Sequence, residues 1–237
     1  MLNSLEILVI NLERDIERWK SVSRQQLEFG LRITRVPAVT IDDVTEDETR
    51  YVTKGVRAVW RSHMRCMNYL LSSESSFIVI AEDDFEIRNS KKLSEVLIDS
   101  RIYEFDVVQL GWVVPGLRAR FSILYTDLEH KVFRIVHHFL RVFFPKSSHL
   151  KRLRVQRSGR APRGFIPDNF LPGGQFYLIS KKFALSIQEL NDPQFLATDD
   201  AYMALAKMRN FSFIRSKDNL VRQKSFPKWA GPRFPIS

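Results

Sequence analysis

Three consecutive acidic residues, Glu82, Asp83 and Asp84, are the part of this sequence best suited to carry chemistry. Carboxylates this close disfavour one another's ionisation unless a cation or hydrogen-bond donors offset their charge. Mg²⁺ and Mn²⁺ prefer carboxylate oxygens and commonly share their coordination shell with substrate phosphates. The acidic run therefore predicts a metal–diphosphate site. The alternative interpretation is an acidic turn that ends a strand and caps the next helix.

A second acidic pair, Asp199 and Asp200, follows Thr198 at the start of a predicted helix. Helix N-termini favour a capping side-chain oxygen and nearby negative charge, so Thr198 or Asp199 is a candidate N-cap. Capping accounts for one of the two carboxylates. It leaves the second unexplained, which keeps a chemical role open for the pair.

Two arginines, Arg14 and Arg18, lie one helical turn apart near the end of the first predicted strand. Guanidinium groups in that position are able to bind a nucleotide phosphate through charge-assisted hydrogen bonds. The alternative is a solvated helix face on which they pair with Asp15 and Glu17. The sequence alone favours the solvated face.

His63 lies in a predicted amphipathic helix, directly beside its apolar face. It follows Val59 by four residues and Trp60 by three, so all three share one side of the helix. A histidine in this position is either a hydrogen-bonded core residue or a catalytic group. The first interpretation is favoured.

The elements that position these residues begin with five apolar residues, 77–81, immediately before the acidic run. They predict a short strand buried on both faces, and ligands of open α/β sheets bind at the carboxyl ends of such strands. Strand and helix patterns alternate along the first half of the chain. Strands are predicted at 6–12, 33–39, 77–81 and 106–110, and helices at 13–29, 53–71 and 91–100. This order predicts an α/β domain with a mostly parallel sheet.

The same alternation returns after residue 172. Gly173 and Gly174 permit close backbone approach to a ligand, and they precede a predicted strand over 175–180. A helix over 181–190, the helix that follows Asp199-Asp200 and a strand over 211–214 complete the pattern.

Composition indicates a globular protein. The chain has 237 residues, of which 44% are hydrophobic, enough for a substantial core. Its single cysteine, Cys66, excludes an intramolecular disulfide and a cysteine-based metal cluster. The N-terminal residues show no basic region and no cleavage site of a signal peptide, and no apolar run approaches the length of a membrane span, so we expect a cytoplasmic protein.

Positive charge is concentrated in one segment. The net charge is +10, and residues 111–165 hold twelve Lys/Arg against two Asp/Glu. Within it, 131–164 combines an apolar, helix-like stretch with a basic loop. This composition fits peripheral contact with an anionic membrane, at the inner face of the membrane for a cytoplasmic protein, or binding of an anionic acceptor. It also fits a lid or solvated insertion and, as the least favoured interpretation, a nucleic-acid patch.

Several short motifs follow one another along both flanks of the chain. They are Val9-Ile10-Asn11-Leu12-Glu13-Arg14 with Arg18, Pro37-Ala38-Val39, Gly55 with Ser62-His63, Ile80-Ala81-Glu82-Asp83-Asp84, Gly174 with Phe176-Tyr177-Leu178-Ile179-Ser180, Asp199-Asp200, and Gln223. In order and spacing they resemble glycosyltransferase family 25, the group of bacterial lipooligosaccharide galactosyltransferases and procollagen galactosyltransferases. The resemblance covers roughly 5–111 and 170–224. It leaves 112–168 without a counterpart.

The resemblance implies an α/β fold of the GT-A type, which is Rossmann-like. It implies one glycosyltransferase domain over 1–237, with 112–168 as a basic, aromatic insertion. It further implies a UDP-sugar donor, typically UDP-galactose, and inversion at the anomeric carbon. The acceptor would be a glycan or glycolipid of the lipopolysaccharide or lipooligosaccharide type.

The resemblance also assigns roles to individual residues. Glu82 and Asp84 are the implied ligands of Mn²⁺ or Mg²⁺, and Asp200, ahead of Asp199, is the implied general base. The implied donor-binding residues are Asn11, Arg14, Arg18, His63, Asp83, Gly174 and Gln223.

Two other functions stay open at this point. In a metal-dependent nuclease or phosphotransferase, the acidic run would bind metal and the basic segment would bind a phosphate backbone. A non-catalytic nucleotide-sugar-binding protein would keep the fold and the metal site without turnover.

Overall fold

The computed structural model describes residues 5–46, 52–112, 139, 142–143, 161–167, 170–171, 173, 175–190, 194, 196–208 and 211–224. Their strands are β1 (Ile7–Asn11), β2 (Ile33–Pro37), β3 (Phe77–Glu82), β4 (Phe85–Ile87), β5 (Val107–Gly111), β6 (Phe165–Pro167), β7 (Phe176–Ser180), β8 (Phe213–Ser216) and β9 (Val221–Gln223). Their α-helices are α1 (Ile16–Phe29), α2 (Lys54–Ser72), α3 (Ser90–Ile98), α4 (Lys181–Leu190) and α5 (Thr198–Met208). Short 3₁₀ helices span Ile41–Asp43 and Ser100–Glu104.

The described strands form one mixed, largely parallel sheet. Its order is β2-β1-β3-β7-β5-β8-β6. Strand β1 is parallel to β2 and β3, and β5 is parallel to β8. Strand β7 lies antiparallel between β3 and β5, and β6 is antiparallel to β8. The predicted α/β class and mostly parallel sheet are confirmed, whereas the reversed direction of β7 was not predicted.

Helices cover both faces of the sheet, because successive strand residues alternate between two hydrophobic clusters. In β1, Leu8 and Ile10 contact the cluster that includes Trp60 of α2. Their neighbours Ile7 and Val9 belong to the opposite cluster, which includes Val22 of α1. Helices α2, α4 and α5 contribute to the first cluster, and α1 and α3 to the second. Burial on both faces explains why the strands are continuous apolar runs.

A two-stranded ribbon extends the sheet at the carboxyl end of β5. Strand β9 pairs with β4 in antiparallel register and meets β5 where Val221 lies opposite Gly111. A Cβ atom on Gly111 would lie 2.7 Å from the Val221 carbonyl oxygen. Glycine at this position therefore allows β9 to approach β5 closely.

Most of the predicted insertion over 112–168 lies outside the described residues, which include from it only Trp112, Phe139, 142–143 and 161–167. The predicted roles of 112–168, and of 131–164 within it, stay predictions. In the part of the chain that the structure describes, no helix is both long and apolar enough to cross a membrane.

Candidate active site

The acidic run forms a tight turn between two strands. Glu82 is the last residue of β3, and Asp83 and Asp84 join it to β4. Helix α3 begins later and is capped by the Asn89 side chain, which accepts a hydrogen bond from the Lys92 backbone N–H. The turn therefore does not cap a helix. It lies at the carboxyl end of β3, beside the carboxyl end of the parallel strand β1.

Asp83 is buried and binds two residues from the start of the chain. Asn11 donates from Nδ2 to Asp83 Oδ2 at 2.5 Å, and Arg18 donates from Nη1 to Asp83 Oδ1 at 2.9 Å. Burial raises the pKa of Asp83, and the hydrogen bonds from Arg18 and Asn11 offset part of that rise. Both carboxylate oxygens thus hold β1 and α1 against the acidic turn.

Arg35 fixes the orientation of the Asn11 amide, a role that sequence reasoning missed. It donates from Nε to Asn11 Oδ1 at 2.8 Å, which leaves Asn11 Nδ2 directed at Asp83. The guanidinium also lies over the Trp19 ring, 5.1 Å from its centroid. The available signal was a basic residue inside the apolar strand β2, near the sheet edge that carries the site.

Asp84 is buried and held by the C-terminal part of the described chain. Gln223 donates from Nε2 to Asp84 Oδ2 at 2.7 Å, and the Lys224 backbone N–H donates to the Asp84 carbonyl at 2.6 Å. Pairing of Phe85 with Gln223 in the β4–β9 ribbon sets this geometry. A longer contact of 3.4 Å joins Gln175 Nε2 to Asp84 Oδ1.

The Glu82 side chain lies on the α2 side of the turn, whereas Asp83 lies on the α1 side. The Glu82 side chain is 41% exposed, and its Oε1 lies 3.9 Å from His63 Nε2. Burial, and then the nearby charges of Asp84, Asp199 and Asp83, raise the pKa of Glu82 to about 8. Solvent at the exposed part of the carboxyl group screens some of this effect. The turn therefore concentrates more negative charge than the neighbouring Arg18 offsets.

His63 is a buried histidine that also borders the acidic turn. Its Nδ1 atom lies 2.6 Å from the Tyr177 hydroxyl, which is 3.3 Å from the Tyr202 hydroxyl. Burial lowers the pKa of His63 to about 4, so the ring is neutral near pH 7. The hydrogen-bonded core position predicted for His63 is confirmed, and a direct role in chemistry stays a prediction.

The second acidic pair divides into two different environments. Asp199, in the first turn of α5, accepts a hydrogen bond at Oδ2 from the Gly173 backbone N–H at 2.7 Å. After burial, its charge is one of those that raise the pKa of Glu82. Asp200 is exposed. The Thr198 hydroxyl is buried and has no hydrogen-bond partner among the described residues, so it does not cap α5.

Two further donor-site predictions have different outcomes. Arg14 is exposed on the turn before α1, whereas Arg18 reaches Asp83. Gly174 lies outside the described residues. The structure therefore brings Asn11, Arg18, His63 and Gln223 to the acidic turn, and it leaves the predictions for Arg14 and Gly174 as they stood.

Glu82 and Asp84 would hold a divalent cation only together with oxygen ligands from a phosphate or from water. Within the described ranges, no group of three or more His, Cys, Asp or Glu side chains is arranged to hold a metal by itself. Mg²⁺ usually takes only one or two carboxylates and completes its shell with water and phosphate oxygens. Glu82 and Asp84 would supply such carboxylates. Burial is the main cause of the raised pKa of Glu82, and the neighbouring carboxylates that add to it are charge that a cation would offset.

Comparison with known proteins adds no relative to these observations. No family model matches the chain, and no curated protein matches it.

Proposed function

We propose that this chain is a metal-dependent inverting glycosyltransferase of the GT-A type, which moves a hexose, in the first instance galactose, from a UDP-sugar to a glycan or glycolipid acceptor. One observation carries the proposal. Four residues that the family resemblance assigns to the donor site, Asn11, Arg18, His63 and Gln223, all contact the acidic turn from distant parts of the chain.

The acidic turn suits the diphosphate end of the donor. Glu82 and Asp84 would hold the cation, whereas the charge of Asp83 is already paired with the Arg18 guanidinium. Asp83 therefore shapes the turn, and Gln223 orients Asp84 from the ribbon side. A bound divalent cation would stabilise the negative charge that develops on the departing nucleotide diphosphate.

Inversion by direct displacement requires a base that removes the proton of the attacking acceptor hydroxyl. Asp199 and Asp200 are the candidates, and both lie on an element separate from the metal-binding turn. The sequence favoured Asp200. Asp199 is half-buried and held by the Gly173 backbone N–H, whereas Asp200 is exposed, so we propose Asp199 as the base and keep Asp200 as the alternative.

A thermal-shift experiment with nucleotides tests this function. UDP and UDP-galactose are expected to raise the melting temperature only when Mn²⁺ is present, because a ligand that binds the native state alone stabilises it. Asp84→Asn is expected to abolish that shift. Asp218→Asn is the matched control, since Asp218 pairs with Lys92 at the surface.

The outcomes also separate the alternatives. Release of UDP from UDP-galactose in Mn²⁺ supports the transferase, and metal-dependent UDP binding without turnover supports a non-catalytic binding protein. Cleavage of nucleic acid, with affinity that falls steeply as salt rises, supports the nuclease. UDP binding of equal affinity with and without Mn²⁺, and in wild type and Asp84→Asn, would overturn the proposed site.

A further inference from the structure

Three buried side chains form a hydrogen-bonded chain that ends at the acidic turn. The Tyr202 hydroxyl lies 3.3 Å from the Tyr177 hydroxyl, and that hydroxyl lies 2.6 Å from His63 Nδ1. Each of the three residues is at most 2% exposed. The other ring nitrogen, His63 Nε2, faces Glu82 Oε1 at 3.9 Å. The imidazole therefore joins a buried pair of phenols to a carboxylate of the proposed metal site.

The number of available protons restricts how this chain is arranged. The Tyr177 hydroxyl has one proton and two contacts, so it donates to one neighbour and accepts from the other. A neutral imidazole likewise donates from one nitrogen and accepts at the other. Two arrangements result. Tyr177 donates to His63 Nδ1 and the ring proton lies on Nε2, or His63 donates from Nδ1 and the bare Nε2 faces Glu82.

Electrostatics favour the first arrangement. When Glu82 is ionised, a proton on Nε2 directs the positive end of an N–H dipole at its carboxylate. With the proton on Nδ1, a nitrogen lone pair faces that carboxylate, which is repulsive in a buried setting. A phenol is also a stronger acid than a neutral imidazole N–H, so it is the better donor in the 2.6 Å contact.

We propose that Tyr177 and Tyr202 are positioning residues that hold His63 as the Nε2–H tautomer, so that His63 directs an N–H group at Glu82. In this arrangement Tyr202 donates to Tyr177, and Tyr177 donates to His63 Nδ1. The tautomer is assigned here from the hydrogen-bond network. Its importance for metal and donor binding rests on the proposed function, whereas the tautomer itself does not.

Packing alone does not explain the two hydroxyl groups. Phe170 contacts both tyrosine rings edge to face, and Phe183 contacts the Tyr202 ring in the same way. Phenylalanine would satisfy those ring contacts equally well. A buried hydroxyl needs a hydrogen-bond partner, and in the described part of the chain these two are joined to each other and to His63.

The tautomer is measurable by long-range ¹H–¹⁵N NMR on histidine-labelled protein without metal or nucleotide, at a pH above the value of about 8 to which the pKa of Glu82 is raised. The chain has five histidines, and the signals missing from a His63→Gln spectrum identify His63. We expect the wild-type His63 to be the Nε2–H form. Tyr177→Phe removes the donor to Nδ1 and should move the signals towards the Nδ1–H form. Tyr103→Phe, which removes a hydroxyl bonded to the Leu97 carbonyl, should leave them unchanged.

Wild-type His63 in the Nδ1–H form, or Tyr177→Phe signals identical to those of wild type, would overturn the proposal. If Tyr177→Phe does not fold, the wild-type spectrum alone decides the tautomer. The Nε2–H form of His63 supports the proposal, and the Nδ1–H form overturns it.

A second measurement joins the tautomer to ligand binding. Tyr177→Phe should weaken Mn²⁺-dependent UDP binding about tenfold, the usual order for an outer-shell partner of a metal site, and Tyr103→Phe should not. Equal affinity in wild type and Tyr177→Phe would overturn the positioning role. Absence of UDP binding to wild type would instead reject the proposed function, and the NMR result would still decide the tautomer.

Discussion

Asn11 donates a hydrogen bond to Asp83 at 2.5 Å, although 72 positions separate the two residues in the chain. This contact joins the carboxyl ends of the parallel strands β1 and β3 at the edge where the acidic turn lies. Arg18 completes the arrangement from α1, and Arg35 holds the Asn11 amide in place. The site is therefore built on the sheet and is not carried by one loop.

The first prediction concerns stability at this contact. Asp83→Asn replaces a buried carboxylate that accepts from Asn11 and Arg18 by a neutral amide. It should lower the free energy of unfolding by about 1.5–3 kcal/mol, the range for hydrogen bonds to charged groups. Urea unfolding of Asp83→Asn, Asn11→Ala and the double variant measures the coupling between the two residues. If the stability losses of the two single variants add up to that of the double variant, the predicted coupling between Asn11 and Asp83 is wrong.

Gly111→Ala should loosen the β4–β9 ribbon. The new Cβ would lie 2.7 Å from the Val221 carbonyl oxygen and 3.2 Å from Phe176 Cβ, so β9 must shift. We expect a loss of about 1–3 kcal/mol in unfolding free energy, typical of overpacking, together with weaker Mn²⁺-dependent UDP binding because Gln223 moves with β9.

Gly55→Ala is the matched control for that substitution. A Cβ on Gly55 meets nothing within 4 Å, and the residue lies in α2, where alanine is the better helix former. It should leave stability unchanged or raise it slightly. Similar losses in both variants would show that close approach of β9 is not the cause.

The general base is identified by two single substitutions. Asp199→Asn should lower the transfer rate by about 10²–10⁴ while donor affinity is kept, the usual size of general-base catalysis. Asparagine retains an oxygen that accepts from the Gly173 backbone, so the local fold should persist. Steady-state rates and UDP thermal shifts are measured on both variants. A rate loss confined to Asp200→Asn would assign the base to Asp200 instead.

His63 should make stability depend on pH. Its pKa is lowered from 6.5 to about 4, so the unfolded chain binds the proton more tightly than the folded one. The stability that comes from keeping His63 neutral is complete above pH 6.5 and is lost as pH falls towards 4. Between pH 7 and pH 5 this loss lowers the free energy of unfolding by about 2 kcal/mol.

Urea unfolding of wild type and His63→Gln at both pH values measures that contribution. Asp83 and Glu82 have raised pKa values and act in the opposite direction, but they are present in both proteins. The stability advantage of wild type over the variant should therefore shrink as pH falls. A difference that is constant from pH 7 to pH 5 would show that His63 does not titrate as described.

The basic segment is tested by removal of residues 146–164. This deletion takes out a strongly basic stretch and should reduce binding to vesicles that contain anionic lipid, with no effect on UDP release from UDP-galactose. Sedimentation with anionic and with neutral vesicles measures the membrane binding of wild type and of the deletion variant. Unchanged binding to anionic vesicles would favour a lid in place of a membrane contact.

Much of the sheet was predictable because its strands are short apolar runs followed by polar residues. Strand β3 and helix α4 lie where the sequence places them, and Asp83 and Asp84 follow β3 as expected. The direction of β7 was not predictable. A strand buried on both faces has the same apolar pattern in either direction, and the long connection from β5 allows both.

The partners of the acidic turn were harder to predict than its position. Asp83 turns towards α1 and Glu82 towards α2, because consecutive residues at a strand end point to opposite faces of the sheet. Which side chains meet them depends on strand register and helix docking, which no local pattern encodes. Arg35 was missed for this reason, since its role depends on the lateral pairing of β2 with β1.

The position of Gln223 has a consequence for biosynthesis. It lies 139 positions after Asp84, so a ribosome completes the acidic turn long before it makes the amide that orients that carboxylate. A nascent chain that lacks β9 holds Asp84 without its strand partner. The orientation of the Asp84 carboxylate is therefore set late in translation, after most of the sheet has been synthesised.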